Sequence, residues 1–115
     1  MRLRQHDKGF DFPADREAAD AAQAGLEDER LRMESILLTL EDCMNIRRGL
    51  SNFPEVLRLV SSHDLIEPEM IAQLVEALKV ARKDALNESA RRRIDRLVTK
   101  CLQWQGDGLP VFADV

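Results

Sequence analysis

Residues 61–64 read Ser-Ser-His-Asp and contain the three side-chain types of a nucleophilic triad. A triad, however, brings its nucleophile, base and acid together from separate elements and adds hydrogen-bond donors for an oxyanion. Four consecutive residues do not supply that geometry. The same residue types are typical of a turn between two helices, where hydroxyl groups bond the backbone. We therefore interpret residues 61–64 as a turn.

The two cysteines and two histidines lack the spacing of a metal site. Cys43 and Cys101 lie far apart, neither belongs to a Cys-x-x-Cys pair, and His6 stands in a polar N-terminal segment. A structural zinc site needs four ligands at characteristic spacing. Each cysteine lies on an apolar stripe, where a thiol usually packs as a small hydrophobic group. We expect no metal and no cofactor.

The remaining polar motifs also fail to indicate catalysis. The Gly-Asp-Gly segment at 106–108 lacks the following Lys and the strand–turn–helix context of a phosphate loop. Neither Glu41 with Asp42 nor Glu67 with Glu69 shares a helix face with a histidine. The sequence therefore predicts a protein that is not an enzyme.

Composition favours helices and an acidic partner. Only 4% of the 115 residues are aromatic, so the core is expected to be aliphatic, as in helix–helix packing. The net charge is −4, yet the segment from Arg82 to Lys100 carries seven basic and three acidic residues. One basic segment on an acidic domain disfavours nucleic acid and favours an acidic protein segment.

Apolar residues recur at spacings of three and four, which predicts helices. The first helix is expected from about Glu27, and Pro54 and Pro68 each suit a first helical turn. Asn87 is a good N-cap for the last helix, whereas residues 68–83 fit one helix or two. Because no segment shows period-two alternation, the predicted fold is all-α, a bundle of four to five helices. The first stripe comprises Met33, Ile36, Leu37, Leu40, Cys43 and Met44.

The predicted bundle domain spans residues 27–105. Residues 1–26 are polar and Ala-rich, so we expect a flexible or frayed extension, and residues 106–115 are expected to form a flexible tail. Phe10, Phe12 and Phe112 stand in these two segments among acidic residues. No segment approaches the roughly 20 apolar residues that cross a bilayer, so no membrane is expected. Free thiols without an apolar leader favour a reducing compartment, the nucleus or cytosol.

Ile46, Phe53, Ala85 and Leu86 lie in or beside the predicted connections between helices. Apolar residues there either seal the end of a bundle or form a shallow docking site, and composition alone favours sealing.

Basic residues stand beside the second of these connections. Arg92 and Arg93 follow Arg91, and consecutive helical residues point about 100° apart, so they do not form a single clamp. The ordinary interpretation is a solvated face. The alternative is a basic wall, with Arg82 and Lys83, that steers an acidic peptide.

The segment RRRIDRLVTKCLQWQ resembles the last helix of the TFIIS N-terminal domain (LW domain) family. The segment VLRLVSSHDLIEPEMIAQLVEALKVARK is similar to the helices that precede it there, so the resemblance covers residues 36–105. Residues 73–76 read Gln-Leu-Val-Glu where the family often has a Gly-Lys-Thr-Val type of segment. The comparable positions in the last helix are Ile94, Leu97, Val98, Lys100 and Trp104.

This resemblance implies a compact right-handed bundle of about five helices and a non-enzymatic adaptor in transcription elongation or chromatin. Members bind short disordered motifs that are acidic and contain Phe. In the LEDGF integrase-binding-domain branch, two interhelical loops form the binding surface, and they correspond here to residues 46–52 and 83–87. Ile46 and Leu86 match the apolar positions, whereas Arg47 stands where that branch has an acidic residue. Residues 10–12, Phe-Asp-Phe, are similar to such motifs, so weak self-association through the tails is a further hypothesis beside disorder.

We therefore expect a nuclear interaction module, with the cytosol as second choice, whose partners carry disordered acidic-aromatic motifs. The alternative is a structural helical subunit, a homo-oligomer or assembly component, without peptide recognition. A third hypothesis, nucleic-acid binding through the last helix, is disfavoured by the acidic remainder of the chain. The predicted partner-binding residues are Ile46, Arg47, Phe53, Arg82, Lys83, Ala85, Leu86, Arg92 and Arg93.

Overall fold

A computed structural model describes residues 8–24 and 33–115. Over these two ranges the chain forms five helices and one three-stranded antiparallel sheet of order β2-β1-β3. The predicted all-α bundle is therefore wrong, because the fold is mixed α/β. The elements are β1 (Lys8–Pro13), α1 (Arg16–Gln23), β2 (Met33–Leu38), α2 (Leu40–Leu50), α3 (Pro54–Ser61), α4 (Pro68–Asp84), α5 (Glu88–Gly106) and β3 (Phe112–Asp114).

The segment predicted as one long first helix divides at Thr39. The Thr39 hydroxyl accepts a hydrogen bond from the backbone N–H of Asp42, and the Asp42 carboxylate accepts one from the Thr39 N–H. This capping box satisfies two free donors and starts α2 at Leu40. Thr39 itself is extended, so residues 33–38 cannot continue the same helix. They pair with β1 instead.

The central strand β1 comes from a segment that was predicted to be flexible. Phe10 and Phe12 are completely buried, with ring centroids 6.3 Å apart. Phe10 pairs with Ile36 in β2 and with Ala113 in β3, and both of these are buried too. Residues 8–24 and 106–115 thus belong to the folded domain, because the buried phenylalanine rings supply the apolar area that the Ala-rich run lacks. His6 and the rest of residues 1–7, with residues 25–32 and therefore the predicted helix start near Glu27, lie outside the described residues.

Gly9 allows β1 and β2 to approach each other closely. Its φ of +151° is a backbone conformation that L side chains rarely adopt. A Cβ atom at this position would also collide with the carbonyl oxygen of Ile36. The register of the outer strand therefore depends on a glycine at position 9.

The helices pack as α4 against α5 and α2 against α4. The predicted starts at Pro54, Pro68 and Asn87 are confirmed, and α4 is a single helix of 17 residues. Gly49 lies directly against the backbone of Ala77, where an added Cβ would collide with the Ala77 carbonyl. The largest side chains at the centre of this core are Ile46, Leu50, Ile66, Ile71, Leu74, Leu78, Ile94 and Leu97.

Candidate functional site

The two loops predicted as a docking site do not present the expected anchors. Ile46 belongs to α2 and has no exposed surface, and Ala85 is also buried. Phe53 is half-buried against the core, whereas Leu86 is 79% exposed. A side chain without accessible surface cannot contact a partner in this conformation. Ile46 and Ala85 therefore pack the interior, Phe53 is partly accessible, and Leu86 is the largely exposed one of the four.

Most cations of the predicted basic wall are held by acids of the chain itself. Arg93 bonds the buried carboxylate of Asp42 at 2.5 Å, and Arg82 bonds Asp95 at 2.6 Å. The hydrogen bond to Asp42 raises the pKa of Arg93, and the bond to Asp95 raises that of Arg82.

Within the described ranges, the one ion pair of Arg92 is a long contact of 3.9 Å with Glu88, and Arg47 donates to the backbone oxygen of Val115 at 2.5 Å. Lys83 is exposed and forms no ion pair with any residue in the described ranges. The basic residues therefore point to several parts of the surface and do not make one wall.

Residues 61–64 end helix α3. His63 has a left-handed φ of 57°, its N–H donates to the Val60 carbonyl, and the Asp64 N–H donates to that of Leu59. These two bonds are the Schellman arrangement that terminates helices. The predicted turn is confirmed, and among the described residues no hydrogen bond joins the side chains of this segment.

Both cysteines are buried in the core. Burial raises the pKa of the Cys101 thiol to about 12. Burial is also the main cause that raises the pKa of Cys43, followed by the negative charge of Asp42. Over residues 8–24 and 33–115, no group of three or more His, Cys, Asp or Glu side chains could hold a metal ion.

A different surface is defined by two ion pairs that join α5 to β2 and α2. Lys100 contacts Glu34 of β2 at 2.7 Å, and Arg93 contacts Asp42 of α2 at 2.5 Å. These pairs tie one flank of α5 to β2 at Glu34 and to α2 at Asp42. Arg96 lies three residues after Arg93 and four before Lys100, so it projects from the same flank between them. It is exposed, and none of the described acids pairs with it.

Between Glu34 and Asp42 the chain also exposes apolar side chains. Leu37 is 54% exposed and Leu40 is 75% exposed. Met44, one helical turn after Leu40, is 54% exposed. These are three of the five large hydrophobic side chains that are exposed in the described ranges, and an apolar patch of this kind commonly marks an interaction surface.

An open cleft of about 330 Å³ lies at the other end of the same flank. It is lined by Ala14, Met33, Glu34 and Trp104. The Lys100 ammonium stands 4.5 Å from the centre of the indole ring while it also holds Glu34. The cleft therefore combines an apolar floor with a cation at its edge.

We call the whole surface the α5–β2 seam. Sequence reasoning missed it because Leu37, Leu40 and Met44 were assigned to the buried stripe of one helix. The Thr39–Asp42 capping box was the local signal that could have separated them. The seam comprises Met33, Glu34, Leu37, Leu40 and Met44 from β2 and α2, and Arg96, Lys100 and Trp104 from α5.

Neither a protein-family model, nor a curated protein, nor a solved structure matches this chain. None of the helices in the described ranges is long and apolar enough to cross a membrane. A function is therefore inferred from the geometry of the seam itself.

Proposed function

We propose that this protein is an interaction module that binds a short acidic segment carrying aromatic or other apolar side chains, and that the α5–β2 seam is the binding surface. One observation carries the proposal: Leu37, Leu40 and Met44 are exposed on the segment whose Glu34 and Asp42 are tied to α5 by ion pairs, and α5 carries Arg96, a cation without a partner among the described acids. Apolar contacts of this kind supply affinity, while charges at the rim select and orient the partner.

The cleft over Trp104 suits one side chain of such a segment. Its volume of about 330 Å³ lies at the low end of the roughly 300–1,000 Å³ that ligand pockets span. Met33 offers apolar contact to an inserted ring, and the indole of Trp104, which is 7% exposed, adds the small part of its surface that reaches the cleft. A single anchored ring with acidic neighbours is therefore the best-fitting occupant.

The ion pair at the cleft can change its acidic member. The Glu34 side chain is 43% exposed, whereas that of Lys100 is 20% exposed and lies over the Trp104 ring. A carboxylate of the partner can therefore replace Glu34 on Lys100, because one ion pair is exchanged for another and Lys100 is not left unpaired. Arg96 attracts a second carboxylate and loses no existing ion pair with the described residues when it does so.

Binding is tested with a fluorescein-labelled ten-residue peptide in which Phe alternates with Asp or Glu, measured by fluorescence anisotropy. Leu40→Asp and Arg96→Glu are each expected to weaken binding at least about tenfold, because they place negative charge beside an acidic ligand. Circular dichroism is expected to stay unchanged, since both side chains are exposed. A peptide with Lys in place of its acids is expected not to bind.

Two matched controls separate the seam from other surfaces. Leu86→Asp makes the same change at an equally exposed leucine, and Arg58→Glu reverses an exposed charge on α3. Both variants are expected to bind the peptide as the unchanged chain does. Loss of binding in Leu86→Asp with full binding in Leu40→Asp would contradict the seam and restore the interhelical loops as the site.

The cellular setting stays a prediction that rests on the family resemblance and on the two free thiols. A nuclear adaptor in transcription elongation or chromatin is one such prediction, and a structural subunit without peptide recognition is the alternative. Sedimentation of the full chain distinguishes the two modes of action, because an obligate assembly component forms a stable oligomer without any peptide.

A further inference from the structure

The outer strand β2 leaves one side of its backbone without a partner strand in the described part of the chain. Its six residues pair with β1 in an uninterrupted register, from Met33 opposite Pro13 to Leu38 opposite Lys8. In an antiparallel ladder, alternate N–H and C=O groups point to opposite sides. The groups on the outer side of β2 are therefore aligned for a further strand.

β2 has few of the features by which edge strands usually avoid pairing. Such features are charged residues, Pro, a β-bulge, very short length, or a covering helix or loop. β2 reads Met-Glu-Ser-Ile-Leu-Leu, without Lys, Pro or a bulge in its register, and its one charge, Glu34, is paired with Lys100. The other edge strand, β3, has only three residues. Of the two edges, β2 is the one able to accept a strand of useful length.

The seam places side-chain contacts beside this edge. Ser35 and Leu37 are exposed on one face of β2, while Lys100 of α5 contacts Glu34 on the other face, one helical turn after Arg96. Successive side chains of an added strand would point alternately to the two faces of the sheet. One face carries Leu37, and the other carries the contact with α5. A helical ligand would bury the same apolar side chains but would leave the edge groups of β2 unused.

We infer that the acidic segment binds in extended form, as a fourth strand on the free edge of β2, with acidic side chains on the Arg96 flank. This inference rests on the proposed function, since it specifies how the partner occupies the same seam. The occupant is a segment of another protein. A second copy paired across a two-fold axis would bring the Arg96 flank against itself, which repels.

N-methylation of the probe peptide tests the inference directly. One version carries N-methyl groups on the amides of all Phe residues, and the other carries them on the amides of all acidic residues. Because alternate amides of a strand face opposite sides, only one set can donate to β2. One version is expected to lose affinity at least about tenfold, and the other is expected to stay within about twofold of the unmodified peptide.

Other results overturn strand addition. Equal binding of both methylated versions would mean that the ligand backbone is not used, and equal loss would indicate a helical ligand. In either case, binding of the unmodified peptide that still depends on Leu40 keeps the proposed function. Failure of the unmodified peptide to bind at all contradicts the proposed function itself.

Two further measurements apply to the full chain. On addition of the unmodified peptide, alternate backbone amides of β2 are expected to exchange hydrogen more slowly, while those of β3 are unchanged. An unchanged exchange rate throughout β2 would overturn the inference. A stable dimer seen by sedimentation without peptide, and abolished by Leu37→Glu, would assign the edge to a second copy and would also overturn it.

Discussion

The indole N–H of Trp104 donates a hydrogen bond to the backbone carbonyl of Pro13 at 2.8 Å, which ties the last helix to the end of the first strand. The same indole packs edge-to-face on Phe12, with ring centroids 5.4 Å apart. Its other surroundings are the cleft and the Lys100 ammonium. One side chain thus joins the sheet to the helices and also forms the floor of the proposed binding site.

Trp104→Phe is expected to destabilise the protein by about 2–4 kcal/mol. The change removes the only indole donor to the Pro13 carbonyl and leaves a space beside Phe12, and both effects cost free energy. Urea unfolding measures the difference. Leu102→Ala on the exposed side of the same helix is the control, with an expected change of about 0.5 kcal/mol or less.

Gly49→Ala is expected to destabilise the protein by about 1–3 kcal/mol, although Ala favours helices more than Gly does. The added Cβ would collide with the Ala77 carbonyl and push α2 away from α4. Gly106→Ala is the matched control, because nothing lies within 4 Å of a Cβ at the end of α5. The Gly106→Ala substitution is expected to stabilise the protein by about 0.4–1 kcal/mol. Thermal and urea unfolding of both variants give the comparison, and equal effects would contradict it.

The stability of the protein is expected to fall at alkaline pH because of Cys101. An unfolded thiol titrates near pH 8.5, whereas burial raises the pKa of folded Cys101 to about 12. Below about pH 8.5 both states hold the proton and the stability is complete. Between that pH and about 12 only the unfolded state releases it, which lowers the free energy of unfolding by about 1.4 kcal/mol per pH unit. Urea titrations at several pH values are expected to show a shallower decline for Cys101→Ala, and an identical decline would refute this assignment.

His63→Gly is expected to stabilise the protein by about 0.5–1 kcal/mol. His63 occupies the left-handed conformation that ends α3, which costs an L residue about 1–2 kcal/mol and glycine almost nothing. The greater freedom of glycine in the unfolded chain offsets part of the gain. A lower melting temperature in calorimetry would show that the imidazole contributes more than the backbone costs.

Local signals predicted the second half of the fold. Proline at positions 54 and 68 suits a first helical turn, and the Asn87 side chain accepts the Ala90 N–H as an N-cap does. The turn at residues 61–64 was predicted for a similar reason, since its conformation depends on nearby backbone groups. These features need only contacts within a few residues, and therefore the amino-acid sequence alone indicates them.

The sheet and the α5–β2 seam were decided by tertiary structure. Phe10 is buried because Ile36 and Ala113 pair on either side of it, and no local pattern in residues 8–13 indicates partners so distant in the chain. The apolar spacing of residues 33–38 fitted a helix equally well, until pairing with β1 supplied backbone hydrogen bonds along the strand. Once β2 is a strand, Leu37 and Leu40 are no longer covered by neighbouring helices. Long-range pairing thus turned a predicted core stripe into the surface proposed to bind a partner.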